Sequence, residues 1–204
     1  MKTICYALIA LVGVSCSGQK TTFETFKSEL KQKSIPFKKE KKVLNNLTVN
    51  QPVTSDSLSK TILEKVVSNE LKKSFCDNKD CKINMDFDLG YSTNKIVSIK
   101  ENANTMFRLP RDVESIDFYN FFLYKKELFE IKLNRNANLD NRLKKALTAI
   151  KADAECNYLS NDETLVKLFI SKGETYVHLY KDEVCNILVK LELNSSDLTF
   201  VKVN

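Results

Sequence analysis

The sequence predicts an α+β domain on a mainly antiparallel sheet of about six to eight strands, with two or three helices. Three observations predict it. Ile83, Met85, Phe87 and Leu89 alternate with Asn84, Asp86 and Asp88, which is the period of a half-buried strand. Helical stripes stand before and after the strand-rich middle, at Leu58, Ile62, Val66 and Leu71 and again at Leu139, Leu143, Ala146, Leu147 and Ile150. Lys172-Gly173 reads as a tight hairpin turn between later strands. Strands gathered in runs, with few helices, define the α+β class.

Taken in order, Thr21-Thr22-Phe23-Glu24 has the form of a capping box, and Phe23, Phe26 and Leu30 extend it to a short helix over 22–33. A breaker at Ser34-Ile35-Pro36 and a charge run through Lys42 then predict a tether over 17–54, with the folded domain over 55–204. The next helix is capped by Ser55 or Asp56 and ends near Ser74. After the first alternating strand, Gly90 and Ser92-Thr93-Asn94 predict a turn into 95–100. Strands over 105–109, 115–124 and 128–133 continue the pattern. Residues 118–124 are apolar on both faces, as in a central strand. Asn138 is the expected cap of the later helix, followed by strands over 163–171, 174–181, 184–193 and 198–203.

The N-terminal 16 residues read as an export signal. Lys2 is the positive n-region, and Ile4 to Val14 is an uncharged run of 11 residues. A membrane-spanning helix needs ~20 apolar residues, so the run fits a signal core instead. Val12-Gly13-Val14-Ser15-Cys16 resembles the lipobox of bacterial lipoproteins, matching at Ser15 and Cys16 and departing at Gly13, where leucine is usual. The resemblance covers only these residues. It implies diacylglyceryl modification and acylation (palmitate-type) of Cys16, and anchoring of the mature chain to a membrane of the bacterial cell envelope. The alternative is cleavage after Ser17 to give a secreted or periplasmic soluble protein.

Charge is local. The chain carries +6, of which residues 17–50 supply eight Lys against three Glu, whereas residues 51–204 balance to zero. Lys31, Lys33, Lys38, Lys39, Lys41 and Lys42 therefore read as a membrane-proximal spacer or a contact for anionic headgroups. No nucleic-acid-binding face is indicated.

Cysteine use agrees with an oxidising compartment. Beyond Cys5 and Cys16, the even set Cys76, Cys81, Cys156 and Cys185 predicts two disulfides. Of three connectivities, Cys76–Cys81 with Cys156–Cys185 is preferred, because the first pair brackets the polar turn 77–80. One His and no C-x-x-C spacing argue against zinc, and Lys79 and Lys82 stand where a calcium loop needs oxygen and glycine.

Candidate chemistry is sparse. Four glycines allow no G-x-G-x-x-G, Walker or G-x-S-x-G motif, so nucleotide cofactors of those classes are excluded, and no cofactor is expected. His178 is the single His, and Tyr176, His178 and Tyr180 share one strand face as a possible aromatic platform. Asp86 and Asp88 share a face ~7 Å apart, a spacing open to glycan hydrolysis. The sequence thus predicts a non-enzymatic envelope module that binds a protein, peptide or glycan. A carboxylate-pair glycan hydrolase and an inhibitor or immunity-type protein are the alternatives.

Overall fold

The computed structural model describes residues 20–44, 46–73, 81–106, 113–159 and 164–203. The elements are α1 (residues 20–29), β1 (Lys38–Leu44), β2 (Leu47–Val53), α2 (Ser57–Lys73), β3 (Lys82–Ser92), β4 (Ile96–Met106), β5 (Val113–Tyr124), β6 (Glu127–Leu133), α3 (Ala137–Ala149), β7 (Leu165–Ser171), β8 (Glu174–Tyr180), β9 (Asn186–Lys190) and β10 (Leu198–Lys202). The class is α+β, as the alternation predicts. A seven-stranded sheet runs β1-β2-β3-β4-β5-β6-β10, and a three-stranded sheet runs β7-β8-β9. All pairs are antiparallel except β2 with β3, which α2 joins as a crossover.

The large sheet is covered on both sides. On one face Ile83, Met85, Phe87, Leu89, Val97 and Ile99 pack with Ile62, Leu63, Val66 and Val67 of α2. On the other, Ile96, Phe122 and Ile131 pack with α1 (Phe23, Phe26), α3 (Leu139, Leu143) and the small sheet (Ile170, Val177, Leu179). The strand β5 lies between β4 and β6, so its two apolar faces serve the two cores.

Three expectations are corrected. The 17–54 tether contains structure that belongs to the body: Phe23 and Phe26 are 5% and 1% exposed, and the basic run forms edge strand β1 paired to β2 along its length. An edge strand rich in lysine resists pairing with other chains, which is why charge does not exclude it from a sheet. These two strands, with β4 running unbroken from Ile96 to Met106, bring the strand total to ten among the described residues. Gly90 is not a turn but a bulge inside β3, between Leu89 and Tyr91. The cap of α3 is Asn136, whose side chain accepts from the Leu139 amide at 2.9 Å, not Asn138. For α2 the cap is Asp56, accepting from the Ser59 amide at 2.7 Å. The expected helix end at Ser74 and the 77–80 turn lie outside the described residues.

Gly90 fixes where the small sheet sits. A Cβ there would lie 2.4 Å from the Phe169 ring and 2.5 Å from the Ile170 carbonyl oxygen, so only glycine lets β7 cross β3 this closely. The outer edge of β7 is then satisfied by side chains of the large sheet. Ser98 Oγ accepts from the Ile170 amide at 3.2 Å, and Asn120 Nδ2 donates to the Leu168 carbonyl at 2.8 Å. The Ser98 hydroxyl donates to Asn120 Oδ1 at 2.7 Å, which completes a buried network.

Candidate functional site

Alternation along β8 sends Val177 and Leu179 into the core, both fully buried, and turns Tyr176, His178 and Tyr180 to the opposite face. The register of β7 and β9 adds Leu165, Phe169 and Leu188 to that face. Phe118 reaches it from β5. The rings form a continuous row. Phe118 stands edge-on to His178 with centroids 5.0 Å apart, and lies 5.0 Å from Phe169. Phe169 continues to Tyr176 at 6.3 Å, and His178 to Tyr180 at 6.0 Å. Leu165 and Leu188 are 51% and 41% exposed beside the row. Lys167 and Lys190 flank it, engaged by Asp117 and Glu174 respectively.

Tyr176, His178 and Tyr180 do share one face, but His178 does not stand at its surface. It is 3% exposed, beneath its neighbours rather than presented to a ligand. Its Nε2 is 2.6 Å from Asn186 Oδ1. Burial pushes its pKa down, and Lys100 and Lys167 add to this against the Asn186 hydrogen bond, so the imidazole is neutral at pH 7. The polar atoms that rim the face belong to Tyr176, whose hydroxyl donates to Glu174 Oε2 at 2.8 Å, and to the flanking lysines.

Asp86 and Asp88 share a face, as expected, but they do not converge on a cavity. The Lys39 ammonium of β1 reaches across β2 to both, at 3.1 Å and 2.7 Å. All three side chains are 36–41% exposed, which makes this a solvated cross-strand ion cluster.

A different pair of carboxylates is buried. Glu70 of α2 and Glu101 of β4 are 9% and 4% exposed, and both approach the Tyr119 phenol of β5. Tyr119 donates to Glu101 Oε2 at 2.8 Å, and Lys73 donates to Glu70 Oε1 at 2.5 Å. Burial pushes the Glu101 carboxyl up to about 7, against the Tyr119 hydrogen bond that favours its ionised form. Burial and both carboxylates hold the Tyr119 phenol far above its ordinary range. Sequence reasoning missed this set because its members come from three separate elements. The one local sign is Glu101 itself, a charge at an inward position of a strand.

The remaining expected sites divide. Cys156 and Cys185 are disulfide-bonded, with Cα atoms 5.3 Å apart, tying the turn after α3 to the β8–β9 connection. Cys81 is buried and disulfide-bonded, while Cys76 of the expected pair lies outside the described residues, as does Cys16. Lys38, Lys39, Lys41 and Lys42 are exposed along β1, and Lys31 and Lys33 in the α1–β1 connection. Among the described residues no group of three or more His, Cys, Asp or Glu side chains could hold a metal, and no helix is long and apolar enough to cross a membrane.

No protein-family profile matches the chain. No curated protein matches it in sequence. Among solved structures, a DUF3298 family protein from Pseudomonas aeruginosa PAO1 is similar at 10% identity, with a TM-score of 0.49 over 79% of this chain and 91% of that one.

Proposed function

We propose that the chain is a non-enzymatic binding module of the bacterial cell envelope. The outer face of the small sheet engages a protein, peptide or glycan partner, and a lipid on Cys16 holds the module to a membrane. The observation that carries the reading is the five-ring row of Phe118, Phe169, Tyr176, His178 and Tyr180, edged by the exposed Leu165 and Leu188. Aromatic rings give large contact area with few rotatable bonds, and polar groups at the rim fix orientation. The buried Ser98–Asn120 network hydrogen-bonds the edge of β7 to the large sheet, which supports a preformed face that needs little ordering on binding.

Anchoring rests on the lipobox resemblance. Three residues lie between Cys16 and residue 20, the first described residue of α1, so a lipid there would keep the body within about 15 Å of the headgroups. Two or more acyl chains give firm attachment. Cys16→Ala is expected to move the protein from the membrane to the soluble fraction of expressing cells, and unchanged partitioning of a processed mutant contradicts the anchor. For the binding face, the double variant Leu165→Asp/Leu188→Asp is expected to lose at least tenfold of the parent's retention on isolated envelope polymer or envelope-protein extract. Both positions are exposed, so the fold should survive, and retention equal to the parent contradicts the proposal.

A further inference from the structure

The helix α2 covers the large sheet over β3 and β4 but stops short of β5, β6 and β10. Its far flank therefore leaves a cavity of about 390 Å³ against the sheet, a volume within the range of small-molecule sites. The walls are mixed: Ile62 and Val66 from the helix and Phe121, Leu128 and Val203 from the sheet side are apolar, while the exposed Lys65 and Asn69 and the half-buried Glu130 also line it. Glu70, Lys73 and Tyr119 are the polar groups nearest its foot, with Glu101 behind the phenol.

Two lysines, Lys65 and Lys73, line the cavity, and two buried carboxylates, Glu70 and Glu101, stand at its foot, with the Lys73 charge felt by Glu101 as well. Lys73 is engaged by Glu70, Lys132 by Glu130, and Lys167 by Asp117. Glu101 has no ion pair among the described residues, and its one hydrogen bond comes from Tyr119. A buried carboxylate in that position needs either a proton or a cation. The phenol has a single proton, which it gives to Glu101. Its oxygen lone pairs are left as acceptors, and Glu70 lies within hydrogen-bonding reach of the same phenol. An N–H donor placed there completes a relay in which the cation donates to Tyr119, and Tyr119 donates to Glu101. A primary ammonium has three donors and no acceptor, which fits an all-acceptor set. The Lys73 ammonium already takes one Glu70 oxygen from the solvent side, and at 68% exposure it is free to swing away.

We propose that this cavity binds a primary alkylamine, its ammonium seated between Glu70 and Tyr119, its charge balanced through the phenol by Glu101, and its hydrocarbon body against Ile62, Val66, Phe121, Leu128 and Val203. The site is distinct from the aromatic face of the small sheet. Glu101 is a positioning residue here, since it acts through Tyr119. Binding strengthens as Glu101 ionises, so affinity rises between pH 6 and pH 8.

Titration calorimetry of the full chain with n-octylamine tests this, with sodium octanoate as the probe of opposite charge. One-site binding of octylamine is expected, at least tenfold tighter than octanoate. Glu101→Gln and Tyr119→Phe are each expected to weaken it at least tenfold, and Glu101→Gln to remove its rise with pH. Val203→Trp, at a partly exposed wall position, is expected to fill the cavity and block binding while circular dichroism stays that of the parent. Octanoate binding as tightly as octylamine, no saturable octylamine binding at millimolar concentration, or unchanged affinity in folded Glu101→Gln or Val203→Trp protein would each overturn the proposal.

Discussion

A carboxyl buried at the foot of α2 keeps its proton longer than one in water. Glu101 is held up to about 7 by that burial, so the native state retains a proton that the unfolded chain gives up near 4.5. Stability from this group is therefore fully present below pH 4.5, falls as pH rises toward 7, and stays low above it. The shift corresponds to about 3 kcal/mol over that window. His178 works in the opposite sense, because its lowered pKa costs stability as pH falls below the ordinary imidazole range. The parent's own pH profile mixes the two. Subtracting a variant isolates one: relative to the parent, Glu101→Gln should gain about 2–3 kcal/mol between pH 4.5 and pH 8 in urea unfolding. A difference that does not change with pH would contradict burial as the cause. Glu101 was not legible as special in the sequence, because its meaning depends on Tyr119 and Glu70, 18 and 31 positions away. Tyr176 and Tyr180 were legible, because period-two alternation fixes a face without any knowledge of neighbours.

At the scale of elements, alternation and helical stripes located most of the structure, and turn chemistry located less. Lys172-Gly173 turns the β7–β8 hairpin with φ of 52° and 78°, the positive angles its glycine advertises. Lys125-Lys126 turns the β5–β6 hairpin with φ of 50° and 66° and carries no such signal. Strand pairing forces that conformation on two lysines, and Lys125 rests its ammonium 5.2 Å from the Tyr124 ring. The strands β1 and β2 were hidden because lysine content was read as a solvated tail, whereas an edge strand needs only one paired side. The Cys156–Cys185 disulfide was legible from count and compartment. It closes a loop of 29 residues and joins the α3 side of the core to the small sheet. Opening it should cost about 3–4 kcal/mol, chiefly by freeing the unfolded chain. Cys156→Ala/Cys185→Ala should show this as a lower urea midpoint with a steeper slope, because the freed unfolded chain exposes more surface. A midpoint equal to the parent's would mean the cross-link adds nothing to the packing around it.

For the whole molecule, three layers divide the work. The large sheet is a shared wall, with α2 and its cavity on one side and α1, α3 and the small sheet on the other. The small sheet sets the edge of β7 against that wall, held by the Gly90 crossing and the Ser98–Asn120 network, buries one face in the core shared with α1 and α3, and exposes Leu165 and Leu188 on the other. The class of fold could be read from the sequence, yet this arrangement could not, since no local pattern states which sheet face meets which. The proposed function depends on that outward face meeting a partner in the envelope. The most direct test is photo-crosslinking in expressing cells, with a photoreactive phenylalanine analogue at position 188 and, as control, at position 43. Leu188 and Val43 are both exposed, at 41% and 62%, but Val43 lies on the distant edge strand β1. A discrete adduct from position 188 and none from position 43 is the predicted result. Equal adducts from both positions, or none from position 188, would contradict the account.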